Sequence, residues 1–174
     1  LDSHAHVHPL LGRDGETLAL DVVRDGPADA HAVLLVSSAC HGVEGYCGSG
    51  VQVTLLQDAA LRRAAQANGV AIVYLYALNP HGFSWWRRTT HENVDLNRNF
   101  HDFSQPLPAN AAYETLASAI VPETWPAPAE AVASIGAFFA AHGERALQAA
   151  VTGGQYTHPN GVFYGGREAT WSHR

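Results

Sequence analysis

Apolar and polar positions alternate through Ser3-His4-Ala5-His6-Val7-His8 up to Pro9, the pattern of a short edge strand that ends at the proline. Asp14-Gly15 reads as a turn and Leu18 to Val23 returns as a second strand, so a hairpin is expected, closed by Asp25-Gly26-Pro27. Ala32 to Ser38 is a continuous apolar run, the mark of a strand covered on both faces. From Gly48 to Ala67 the apolar residues Val51, Val53, Leu55, Leu56, Leu61 and Ala64 follow helical spacing, and Asn68-Gly69 ends the helix. Val70 to Leu78 is a second buried strand, halted by Asn79-Pro80. Strand, helix, strand in this order is the right-handed crossover of an α/β sheet, where ligands bind beyond the carboxyl ends of the strands. His41 and Asn79 both follow such ends, so their segments are expected to meet.

Periodicity then fades. Residues 79–105 are polar, aromatic and arginine-bearing, and a loop of this length in a compact domain is usually functional. A short helix is expected from Asn110 to Ile120, followed by a proline-rich link to Pro128. A stronger helix runs from Ala129 to Ala141, with Val132, Ile135, Ala137, Phe138 and Phe139 as its apolar face and Gly143 at its end. Ala146 to Val151 continues as a short helical or turn segment up to Gly153-Gly154, and Gln155 to Arg174 reads as loop lying over a surface. There is no repeat, so residues 1–174 are read as one domain.

Composition narrows the class more than the chemistry. An apolar fraction of 47% with only 15% charged residues fits a compact globular chain. A net charge of −6 argues against nucleic acid or an anionic membrane as the main partner. No segment reaches the roughly 18 consecutive apolar residues of a membrane helix. The opening Leu1-Asp2-Ser3-His4 lacks the basic start and apolar middle of a signal peptide, and without an initiator methionine it reads as a mature or trimmed product. Cys40 and Cys47 form no secreted disulfide framework; they read as small buried hydrophobes in a reduced, cytoplasmic setting.

The residues that carry chemistry begin at His41-Gly42-Val43-Glu44-Gly45. An imidazole and a carboxylate three residues apart lie on one side of a turn, and catalytic zinc commonly takes two histidines and a glutamate. Alternatively, His41 is a loop histidine and Glu44 stabilises the helix start that follows. The second stretch is Trp86-Arg87-Arg88, then Asn93-Val94-Asp95-Leu96-Asn97-Arg98-Asn99-Phe100. One guanidinium offers a planar fork for a carboxylate with Asn97 beside it, and another could stabilise an oxyanion. Surface arginines paired with Glu92 and Asp95 are the plainer account.

Taken together, the two stretches resemble the zinc carboxypeptidase superfamily of carboxypeptidase A type. There a His-x-x-Glu after a strand gives two zinc ligands, and an Asn-Arg pair holds the terminal carboxylate of the substrate. Asn79-Pro80-His81-Gly82-Phe83 is similar to that superfamily's Asn-Pro-Asp-Gly-Phe turn, with His81 in place of aspartate. The wording of His41 to Gly45, with Gly154-Gln155-Tyr156-Thr157-His158-Pro159-Asn160-Gly161, resembles a little-characterised bacterial branch, a domain of unknown function with predicted peptidase activity. The resemblance spans His8 to Arg174. It implies an α/β fold, the N-terminal half of a three-layer mixed sheet of zinc-dependent exopeptidase type, and a peptide or amide as substrate. It implies Zn2+ on His41 and Glu44 and a substrate carboxylate on Asn97 and Arg98. Trp86-Arg87 matches the Trp-Arg of the animal enzymes, whereas spacing back from Asp95 favours Arg88 as the oxyanion arginine.

Two parts of the family pattern have no counterpart here: the Asp-x-His segment that supplies the third zinc ligand, and the glutamate general base. Either the rest of the domain lies elsewhere, as a C-terminal remainder and partner, or His158 or His81 completes the site. Two other functions stay in view. One is a non-catalytic domain that keeps the fold and binds a carboxylate or a partner. The other is an amidohydrolase, because Asp2-Ser3-His4-Ala5-His6 resembles the Asp-x-His-x-His start of TatD-type enzymes; that fold typically needs about 200 residues or more. His91, His101 and His142 read as solvated, and Trp85, Trp86, Trp125, Tyr156, Tyr164 and Trp171 as core or cover.

Overall fold

The computed structural model describes all residues, 1–174, in two compact units, Leu1–His91 and Glu92–Arg174. The fold is α/β, with one four-stranded mixed sheet and seven helices. No helix is long and apolar enough to cross a membrane.

The first unit holds the sheet. Strands β1 (Asp2–Leu11), β2 (Thr17–Asp25), β3 (Ala32–Ser37) and β4 (Val70–Tyr76) lie in the order β1-β2-β4-β3. β1 and β2 form the expected antiparallel hairpin, closed by Gly15 at φ +82, where the missing Cβ removes the steric penalty. β1 does not stop at Pro9: it continues past a shift of register between Val7 and Leu11, the kind of edge irregularity that accommodates proline. β4 pairs with β2 antiparallel and with β3 parallel, and its Ala71, Ile72 and Tyr74 form the buried centre.

β3 corrects the sequence reading. It is an edge strand, and Val33, Leu34 and Leu35 are exposed on both of its faces rather than covered. A continuous apolar run reports what a strand is able to bury, while its burial depends on the neighbours it has.

The single helix expected after β3 is two. α1 (Gly45–Gln57) ends at Asp58, whose extended ψ of 94 breaks the path, and whose carboxylate then caps α2 (Ala59–Ala67) by accepting from Ala60 and Leu61. α2 is tied to β2 by Arg62, whose Nε donates to Oδ2 of buried Asp25 at 2.5 Å and whose second nitrogen reaches Oδ1 at 3.3 Å. Asp25 raises the pKa of Arg62, through the hydrogen bond first and charge second. After β4, Asn79 and Pro80 open the short helix α3 (Pro80–Ser84), with the Asn79 carboxamide oxygen accepting from Gly82 at 2.8 Å.

The second unit is helical and irregular. α4 (Leu96–Asn99) is one turn, and α5 (Ala111–Ile120), α6 (Ala129–His142) and α7 (Glu144–Thr152) pack on one another. Asn110 caps α5 by accepting from Tyr113, and Gly143 ends α6 at φ +81. Tyr113, Leu116, Leu96 and Ala150 are buried. The apolar face expected on α6 is largely open, with Val132 and Phe139 exposed and Ala131 its buried position.

Candidate functional site

The carboxyl ends of β3 and β4 are knit together by backbone hydrogen bonds. Ser38 N donates to Leu75 O at 3.1 Å, Leu78 N to Ser38 O at 3.0 Å, and Asn79 N to Ala39 O at 2.8 Å. The segments of His41 and Asn79 therefore meet, as their positions after two parallel strands predict. Gln52 of α1 reinforces the junction from beneath: buried, it donates to Val36 O and Leu75 O and accepts from the Ser38 hydroxyl at 2.7 Å.

On this frame the loop after β3 lies against the segment 82–88. Gly42 N donates to Arg88 O at 3.3 Å and Val43 N to Arg87 O at 3.1 Å. The approach is close enough to require glycine, since a Cβ on Gly42 would sit 2.0 Å from the carbonyl carbon of Gly82.

Above this frame three side chains meet one another. His41 Nδ1 lies 3.0 Å from Glu44 Oε2, and Arg88 donates to Glu44 Oε1 at 2.7 Å. The imidazole is 9% exposed and the carboxylate 59%, so the pair is rooted in the fold and opens outward. Of the two oxyanion candidates, Arg88 joins this cluster, whereas Arg87 is exposed with a nitrogen 3.4 Å from the Thr89 hydroxyl.

The donor chemistry suits zinc in part. Two ligands on a zinc with bonds of about 2.0–2.2 Å sit roughly 3.3 Å apart, close to the observed His41–Glu44 separation. Within neither unit are three or more His, Cys, Asp or Glu side chains grouped to hold a metal ion. A catalytic zinc takes three protein ligands, and the pair would offer two of them. His81 instead packs its ring against His8 and His91, with centroids 5.9 and 5.5 Å away, so His91 is not the solvated residue its context suggests. His158 pairs with Glu114 at 2.8 Å. His4 and His6 lie exposed on the outer strand β1.

In the second unit, the polar residues of Asn93 to Phe100 divide into scaffold and surface. Asp95 is fully buried and caps α4 by accepting from Asn97 N at 3.0 Å. Asn99, also fully buried, donates to Gly165 O and Glu168 O and accepts from the Thr170 backbone and hydroxyl. Asn97 is exposed. Arg98 is half-buried: one terminal nitrogen donates to Thr152 O at 2.6 Å and the other to Asn97 O at 3.2 Å, while Nε is buried with no hydrogen-bond partner. Its backbone oxygen accepts from Tyr156, whose hydroxyl is held above its ordinary pKa by burial, a shift that the Arg98 charge partly offsets. Arg98 thus already serves the end of α7, and any carboxylate it binds shares it with that role.

The tail is organised by Gln155, which sequence reasoning passed over. It is 1% exposed, donates to His158 O and Val162 O, and accepts from Thr157 N and His158 N. Trp85, Trp86 and Trp125 are exposed rather than core, and His101 has a buried Nε2 without a partner rather than a solvated ring. Cys40 and Cys47 are not joined in a disulfide, and Cys47 is exposed rather than buried.

Residues 1–174 match the model of a family described as a protein of unknown function (DUF2817), and the chain belongs to that family. No curated protein matches it.

Proposed function

We propose that this DUF2817 chain contributes to a zinc-dependent hydrolase of peptide or amide bonds, carboxypeptidase-like, acting on a carboxylate-bearing substrate. The observation that carries this is the convergence of His41, Glu44 and Arg88 at two adjoining strand ends. His41 and Glu44 would hold the ion, which when bound acts as a Lewis acid and lowers the pKa of a water. Arg88 balances the Glu44 charge and keeps N–H donors at the edge of the cluster, where an oxyanion would draw on them. Asn97 and Arg98 would take the substrate carboxylate, Arg98 through the part of its fork that Thr152 and Asn97 leave unengaged.

Metal analysis tests it. Intact protein dialysed against zinc is expected to retain the metal in near-stoichiometric amount, and His41→Ala or Glu44→Ala to lose it. Retention by both variants would sink the assignment. Arg98→Ala is expected to weaken binding of free-acid substrates more than of their amides; equal effects on both would remove Arg98 from substrate recognition.

A second function is favoured by one observation, the absence of a third donor grouped with His41 and Glu44. It is a non-catalytic domain that binds a carboxylate ligand. Metal-free protein that still binds small carboxylic acids, and loses them with Arg98→Ala, would support it over hydrolysis.

A further inference from the structure

A pocket of about 440 Å³ in the first unit is used by none of the chemistry above. It opens between the β1–β2 turn and α3, and neither His41 nor Glu44 lines it. One wall is aromatic. Tyr46 stacks on Phe83 with ring centroids 4.2 Å apart, its hydroxyl donates to Phe83 O at 3.3 Å, and the Trp86 indole donates to that same hydroxyl at 3.0 Å. Trp86 holds this place at φ +54, a backbone conformation uncommon for a bulky residue, and yet the residue is 61% exposed. Strain spent on presenting an apolar ring to solvent points to a use for the ring.

The lining is also charged, with the acidic residues Asp14, Glu16 and Asp21 and the single basic residue Arg13. Glu16 is fixed by Ser84, whose hydroxyl donates to it at 2.5 Å, and this bond, ahead of its backbone contacts, lowers the pKa of Glu16 and keeps it ionised. The pocket also contains an example of what its aromatic wall accepts: the Arg13 guanidinium sits over the Trp86 ring, 4.1 Å from its centroid.

We propose that this pocket is a recognition site for a cationic group, a guanidinium or primary ammonium carried by a ligand, which takes the face of Trp86 with the carboxylates balancing its charge. Arg13 occupies that face in the absence of ligand and is the competitor it displaces. The site stands apart from the hydrolase proposal because it needs no metal.

Calorimetric titration of the full chain with N-acetyl-arginine amide, against the neutral isostere N-acetyl-citrulline amide, tests it. The arginine compound is expected to bind and the citrulline compound to bind at least about tenfold more weakly, as loss of the cation–π and charge contacts requires. Trp86→Ala is expected to weaken the arginine compound by roughly three- to thirtyfold. Trp86→Phe, which keeps an aromatic face, should retain part of the affinity and guards against misfolding of the alanine variant. Asp21→Asn should weaken binding and Arg13→Ala should tighten it. His41→Ala should leave it unchanged, so failure of the zinc assignment does not touch this one. Equal binding of the two compounds, or unchanged affinity in natively folded Trp86→Ala, would overturn the proposal.

Discussion

Two histidine–glutamate pairs of nearly equal length sit in the two units, His41–Glu44 at 3.0 Å and His158–Glu114 at 2.8 Å. Distance does not separate them; their surroundings do. His41 is buried, springs from the end of a parallel strand, and shares its carboxylate with Arg88. His158 and Glu114 are both about two-fifths exposed, and the second oxygen of Glu114 takes the Thr157 hydroxyl. Beneath the first pair the two strand ends are joined by backbone hydrogen bonds that buried Gln52 and Asn79 reinforce, while His41, Glu44 and Arg88 bond to one another. Around the second, side chains such as Gln155 satisfy the backbone and are consumed in doing so. A polar residue's role is therefore read from the groups it satisfies.

The two frames should break in opposite ways. In the first unit the damaging change is an added atom. Gly42→Ala forces Cβ into the Gly82 backbone, which cannot yield as a side-chain tip could, and the cost is expected to be at least about 3 kcal/mol. Urea denaturation measures it. Because the same contact positions the His41 loop, the variant should also lose zinc retention; a variant of native stability and metal content would show that the close approach is dispensable.

In the second unit the damaging change is a removed atom. Gln155→Leu keeps the volume but strands the amides of Thr157 and His158 and the carbonyls of His158 and Val162. Some of these groups lie near enough to the surface to recover water, so the loss is expected to be smaller, about 2–3 kcal/mol. Hydrogen exchange should rise at amides 157 and 158 first. Unchanged protection there would mean that the loop holds its shape without the carboxamide.

This contrast also marks what the sequence made legible. The hairpin, β4, α5 and α6 with its Gly143 stop followed from local patterns, because stops and periodicity are written in neighbouring residues. The contact between the His41 and Asn79 segments followed from topology. The exposure of β3 did not, since it depends on what lies beside a strand. The break at Asp58 was hidden by apolar spacing that runs on through it, although an aspartate before Ala-Ala-Leu is itself a capping signal. Asn99, Gln155 and Gln52 carried no signal as scaffold: a carboxamide looks alike in sequence whether it faces a ligand or four backbone groups. The cation pocket needed the β1–β2 turn set against α3, a juxtaposition no local pattern encodes.

The smallest expected effect tests the second pair directly. The Glu114 carboxyl is held below its ordinary value of 4.5, first by the Thr157 hydroxyl and then by His158. A carboxylate whose pKa is depressed on folding adds stability above its unfolded value and gives it up as pH falls through the folded one. Glu114→Gln removes that contribution. The difference in urea midpoint between the native chain and the variant should then be steady above about pH 5.5, narrow below about pH 4.5, and vanish once the native carboxyl is protonated. Exposure and screening keep the difference small. If it held constant down to pH 3, Glu114 would act through its shape and neutral hydrogen bonds, and the charge in the second pair would have no part in holding the loop.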